Sequence, residues 1–150
     1  MRTVRINTRN NLLDSRYVKD FVLGGDAIFT LQSGVTGTYI TYKMTRSKKL
    51  EDLYFIKTLY GPDNESDYKY IGCYYADTKK FNPQETWKNA PEYTRPKSLR
   101  AISYFLAHIE DIPPTLFVYH EGRCGCCGRR LTTPDSIERG IGPECYRRLK

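Results

Sequence analysis

The spacing of apolar positions changes twice along the chain, and each change marks a change of element. Near the N-terminus Tyr17, Val18, Phe21 and Val22 share one side of a helical wheel, Asp14 or Ser15 stands at the N-cap position, and Gly24-Gly25 supplies the stop. From Asp26 to Asp77 the spacing shortens to the strand period of about two. Ala27, Phe29 and Leu31 alternate with Ile28, Thr30 and Gln32, and Gly34-Val35-Thr36-Gly37 then turns the chain into the β-branched and aromatic run from Thr38 to Arg46, which predicts a hairpin. Two more strand runs, Leu53 to Tyr60 and Tyr68 to Ala76, are separated by the turn-forming stretch from Gly61 to Asp67. Consecutive antiparallel strands are most simply joined as a meander.

Residues 77–97 mix Lys, Asn, Pro and Thr around the single Trp87, which predicts a long loop pinned by one aromatic. The helical period returns with Leu99, Ile102, Leu106 and Ile109 in one stripe, widened by Phe105; Ser98 reads as the N-cap, and the helix runs to about Asp111 before Pro113-Pro114. Leu116 to His120 is a last short strand. The predicted fold class is α+β: an antiparallel sheet of about four to five strands packed with one main helix, followed by a small C-terminal zinc-knuckle module. Residues 1–25 form a basic N-terminal arm and short helix, 26–119 the core domain, and 120–150 the zinc-binding module.

At 150 residues, 39% of them hydrophobic and 27% charged, the chain can bury a core in one domain, and a large multidomain enzyme is excluded. No apolar run approaches the roughly 18 residues of a membrane span and the N-terminus lacks a secretory pattern, so a cytoplasmic location without membrane partners is expected. Twenty-four Lys and Arg against 17 Asp and Glu give a net charge of +7, which favours anionic partners such as nucleic acid and argues against a protein that imitates DNA.

The five cysteines are an odd number in an expected reducing compartment and four of them fall in the last 27 residues, so a metal site is expected rather than a disulfide framework. Cys124 and Cys127 have the C-x-x-C spacing that lets two thiolates converge on zinc, and Gly125 and Gly128 permit the tight loop. Cys126 is expected to point elsewhere. Cys145 follows Gly142-Pro143, the start of a helix whose dipole and free N–H groups favour a thiolate, and is the expected third ligand. His120, at the end of the last strand, is the favoured fourth; Glu144, Asp135, Cys126 and His108 compete with it. A structural zinc site is expected, since no open coordination position with a nearby base is evident.

The run from Cys124 to Cys145, with its Cys-Gly-x-Cys-Gly-Arg-x-Leu-Thr-x-Pro-x-Ser-Ile start and Gly-Ile-Gly-Pro-x-Cys end, resembles a small zinc-binding domain of unknown function common in bacteriophage and prophage proteins. Gly61 to Tyr68, Gly72 and the aromatic helix before His120-Glu-Gly-Arg-Cys124 are similar to the N-terminal part of such proteins, so the matches span about residues 26–146. The resemblance implies Cys124, Cys127 and Cys145 as ligands with His120 beside them, and implies no activity; Cys126, where related sequences often have Arg, is a departure.

Eight tyrosines fall in the predicted sheet. Equal parity of Tyr68, Tyr70 and Tyr74, and of Tyr54 and Tyr60, suggests an aromatic surface flanked by Lys43, Arg46, Lys57 and Lys69 that could stack bases; cross-strand packing of the same rings is the competing reading. Arg123, Arg129, Arg130, Arg147 and Arg148 surround the cysteines and suit phosphates. With only two histidines and no P-loop, G-x-S-x-G or H-E-x-x-H motif, neither catalysis nor a small-molecule substrate is expected. The expected function is non-catalytic nucleic-acid binding by a phage-type zinc protein through a basic, Tyr-rich surface. The alternative is a protein that binds and modulates a host defence or transcription complex, an anti-defence role.

Overall fold

Asp14 accepts a hydrogen bond from the Arg16 backbone N–H (3.0 Å) and so starts helix α1 (Ser15–Val22) in the computed structural model, which describes residues 12–63 and 66–149. The basic arm expected at residues 1–11 lies outside the described residues. α1 buries Val18, Phe21 and Val22, the side its spacing predicts. Then come β1 (Asp26–Ser33), β2 (Tyr39–Arg46), β3 (Leu53–Leu59), β4 (Tyr68–Tyr75), β5 (Lys80–Pro83), α2 (Lys97–Ala107), β6 (Leu116–His120), α3 (Pro134–Arg139) and α4 (Pro143–Leu149). The strands form one antiparallel sheet in the order β5-β4-β3-β2-β1-β6, a five-strand meander with β6 added beside β1.

The sheet therefore has six strands where the spacing of apolar residues predicts four to five. β5 lies in the stretch that reads as loop: it is four residues long, contains Asn82 and Pro83, and has Phe81 opposite Tyr74 on the neighbouring strand. So short an edge strand carries no readable period, and Pro is tolerated there because an edge needs fewer N–H donors.

Alternation along the strands sorts the two faces. Ala27, Phe29, Leu31, Tyr42, Met44, Tyr54, Ile56, Tyr74 and Val118 are buried on one face, and both longer helices pack there. The Phe29 ring meets Phe105 of α2 at 5.6 Å, and the Tyr42 hydroxyl donates to the Ser98 carbonyl at 2.5 Å. Ser98 is thus an anchor inside α2, and Pro96 takes the cap position instead of it. Leu99, Ile102, Phe105 and Leu106 complete the core from α2. Among the described residues no helix is long and apolar enough to cross a membrane.

A β-bulge between β3 and β4 decides the placement of the tyrosines. Ile56 pairs with Gly72 but Lys57 pairs with Tyr70, so Ile71 is an extra residue and the parity of β4 flips there. Tyr74 is consequently buried whereas Tyr70 is 39% exposed, and their equal sequence parity does not put them on one surface. Tyr54 is buried too. Its hydroxyl donates to the Leu23 carbonyl (2.7 Å) at the end of α1, and Arg46 donates both to that carbonyl (3.0 Å) and to the Tyr54 hydroxyl (2.8 Å). These two side chains, expected on an open surface, satisfy the terminal carbonyl of a helix.

Candidate metal centre

The cysteine loop is built against α1 and β1. Beyond β6, the Leu131 N–H bonds the Gly122 carbonyl (2.7 Å), and the Cys124 N–H bonds the Arg129 carbonyl (2.8 Å), closing a tight hairpin. Gly128 turns it with φ 76°. The Gly125 carbonyl accepts from the Asp26 N–H and the Gly125 N–H donates to the Gly140 carbonyl, both at 2.9 Å, so the loop is stitched to the start of β1 and to the end of α3. Thr133 caps α3, accepting from the Ser136 N–H (3.3 Å), Pro134 opens it, and Gly140 closes it with φ 74°. A Cβ on Gly125 would lie 2.5 Å from the Phe21 carbonyl oxygen, backbone that cannot swing away. Gly125→Ala is accordingly expected to cost about 2 kcal/mol by forced separation of loop and helix, read as a lower denaturant midpoint with an unchanged slope; an unchanged midpoint would show that the two do not touch.

This packing brings three thiols together. The sulfurs of Cys124, Cys126 and Cys145 all lie within 4.8 Å of one another. A tetrahedral zinc site with bonds of about 2.3 Å holds its sulfurs roughly 3.8 Å apart, so the trio fits a thiophilic divalent ion. The Cys124 sulfur also accepts N–H bonds from Gly142 (3.3 Å) and Cys126 (3.4 Å), the arrangement that supports a metal-bound thiolate. The pKa of its thiol is pulled down to about 4 by the Cys126 thiol beside it and by the backbone N–H groups of Gly142, Cys127 and Cys126, against the effect of burial. The Cys126 thiol is pushed up by the Cys124 thiol and by burial, and Cys145 is pushed up to about 11 by burial and by the thiols of Cys127 and Cys124. One thiolate thus suppresses the ionisation of its neighbours, and a divalent cation at their centre removes that conflict.

The trio differs from the ligand set read from spacing. Cys124 and Cys145 are in it. Cys126 turns inward, with its sulfur 2.9 Å from where a Cβ on Gly24 would stand. Cys127 is exposed and lies beside the Cys145 thiol. His120, 1% exposed, has both ring nitrogens engaged: Nδ1 accepts from the Gly122 N–H (2.9 Å), so the proton is on Nε2, which donates to the Ile137 carbonyl (2.6 Å). Through these two bonds it ties β6 to α3. Nothing in the spacing of three cysteines within four residues marks Cys126; its direction is set by contact with α1.

The basic candidates divide into three groups. Lys43 and Lys57 sit directly opposite each other on the sheet face away from the helices, with the Lys43 ammonium 5.8 Å from the Tyr68 ring and Tyr70 opposite Lys57. Lys69, expected beside them, is exposed but pairs with Thr58 on the opposite face, since alternation along β4 separates it from Tyr68 and Tyr70, and the Phe55 and Tyr70 rings lie 6.5 Å apart. Arg129, Arg130 and Arg148 line a cavity beside the cysteines, while Arg123 reaches the Gly128 carbonyl (3.4 Å) and Arg147 pairs with Glu144 (2.9 Å).

No curated protein and no solved structure matches the chain. Residues 114–150, which carry β6, the cysteine loop, α3 and α4, match the model of a family of unknown function, DUF6011, so the similarity falls on the thiol cluster and the elements that shape it.

Proposed function

We propose that the protein is a non-catalytic, zinc-stabilised nucleic-acid-binding protein. The convergence of Cys124, Cys126 and Cys145 within 4.8 Å carries the metal half of this reading. Zinc bound there supplies a cross-link between the cysteine loop and α4, fixing the C-terminal segment against α1.

The nucleic-acid half rests on the open sheet face. Lys43 and Lys57 are cross-strand partners, and like charges directly opposite cost stability unless an anion joins them. Phe55 and Tyr70, 37% and 39% exposed, lie on the same face as those lysines, the combination of cation and stacking platform that holds single strands. Among the described residues no carboxylate interrupts the centre of this face between Ile28, Lys43, Lys57 and Tyr70.

Fluorescence anisotropy of labelled single-stranded DNA, duplex DNA and RNA with the zinc-loaded protein across a salt series tests this. The expected result is micromolar or tighter binding at low salt, preference for single strands, and a loss of about tenfold in Tyr70→Ala, corresponding to a stacked base worth roughly 1–3 kcal/mol. Absence of binding to all three at low salt overturns it.

A further inference from the structure

A cavity of about 360 Å³ lies against the cysteine loop. Cys127 opens onto it and Thr132 adds a hydroxyl, while Arg129, Arg130 and Arg148 line its walls. Among the described residues none of these three arginines takes part in an ion pair. The one carboxylate on the wall, Glu144, is engaged by Arg147, which does not line the cavity. Three arginines therefore line one concavity together with Cys124, Cys127 and Cys145, and no described carboxylate pairs with them. A concave wall rich in cations concentrates positive potential, and the planar fork of Arg matches the oxygens of a phosphate.

We propose that this cavity is a phosphate-binding subsite in which Arg129, Arg130 and Arg148 hold a phosphate of the nucleic-acid backbone, an inference that rests on the nucleic-acid reading above. It extends that reading from the sheet to the cysteine loop. The tight hairpin that directs the sulfurs of Cys124 and Cys126 also fixes the backbone from which Arg129 and Arg130 project, and Arg148 is on the helix that carries Cys145, so the cysteines and the arginines belong to one unit and meet at one cavity.

The test compares the zinc-loaded full chain with the double variant Arg129→Gln/Arg148→Gln and with Lys48→Gln, an exposed lysine between β2 and β3 outside the cavity. A fluorescein-labelled oligothymidylate is titrated by anisotropy over a salt series, and inorganic phosphate is titrated while the arginine Nε–H signals are followed by NMR. The double variant is expected to keep one equivalent of metal, to bind the oligonucleotide at least about tenfold more weakly at low salt, and to lower the log–log salt slope by about 0.7 for each phosphate no longer neutralised; Lys48→Gln leaves both unchanged. If the wild type ignores the oligonucleotide yet phosphate shifts the signals of the three arginines saturably, the nucleic-acid reading fails and the subsite stands for a free phosphate. If the oligonucleotide binds but the double variant matches wild type, the subsite is refuted and the sheet face alone carries the binding. If neither probe binds, both ideas fall.

Discussion

Cys124→Ser is expected to abolish tight zinc binding and to unfold the segment from Gly122 to the end of α4 while the sheet persists. Cys124 sits at the centre of the site: its sulfur is within 4.8 Å of those of Cys126 and Cys145 and accepts two backbone N–H bonds. The apparent binding energy of a structural zinc is about 10–16 kcal/mol and is folding energy for the elements that hold it. Loss of a ligand should exceed the roughly 10–100-fold drop in affinity that follows loss of a partner outside the coordination shell. Cobalt titration monitored by the thiolate charge-transfer band reads affinity, and amide exchange at Cys124, Gly125 and Gly142, whose N–H groups are bonded within the loop and to α3, reads folding. Cys126→Ser should show nearly the same loss. Cys127→Ser, at an exposed position outside the trio, should show a smaller one. The reverse order, with Cys126→Ser silent and Cys127→Ser devoid of metal, would restore the simple C-x-x-C assignment and remove Cys126 from the site.

Two kinds of signal were legible in the sequence. Long periodic segments were readable: the strand runs from Ala27 to Ala76, the apolar stripe of α2 and the capped α1 all appear within a few residues of their predicted limits. Single-residue chemistry with a fixed geometric meaning was readable as well, as at Pro143, which opens α4. Features created by tertiary contact were not. β5 has no period of its own, and one extra residue at Ile71 separates Tyr70 from Tyr74, which alternation alone places together. α3 has a cap at Thr133, Pro134 and a stop at Gly140, yet in six residues its one large apolar side chain, Ile137, cannot declare a face. At the thiol cluster, spacing shows that Cys124 can meet a second thiol but not which neighbour turns inward. That choice follows from the close approach of Gly24 and Gly125, two positions about a hundred residues apart that must both lack a side chain.

His120→Ala is expected to destabilise the protein by about 3–5 kcal/mol and to leave the metal content at one equivalent. The imidazole is buried against Phe21, with ring centroids 5.8 Å apart, and satisfies the Gly122 N–H and the Ile137 carbonyl at once. Its removal leaves the Gly122 N–H and the Ile137 carbonyl, both part-buried, without these bonds at roughly 1–3 kcal/mol each, in addition to the vacated volume. A zinc ligand would behave differently, with metal lost along with stability, so metal analysis beside chemical denaturation separates the two roles. Burial holds the imidazole below its ordinary value of 6.5, partly offset by the bond to the Ile137 carbonyl. The unfolded chain therefore binds a proton that the folded chain resists. The stabilising contribution is complete above the unfolded-state value and is lost as pH falls through 6.5 toward the lower folded value. Since acid also protonates metal-bound thiolates, the informative quantity is the difference between wild type and His120→Gln, which supplies an amide in place of the imidazole and has no proton to gain. That difference should shrink steadily from pH 7.5 to 5.5, because wild type alone bears the protonation penalty at this position. A difference that stays constant with pH, or a His120→Gln protein that loses its metal, would mean that His120 serves the cysteines and not the junction of β6 with α3.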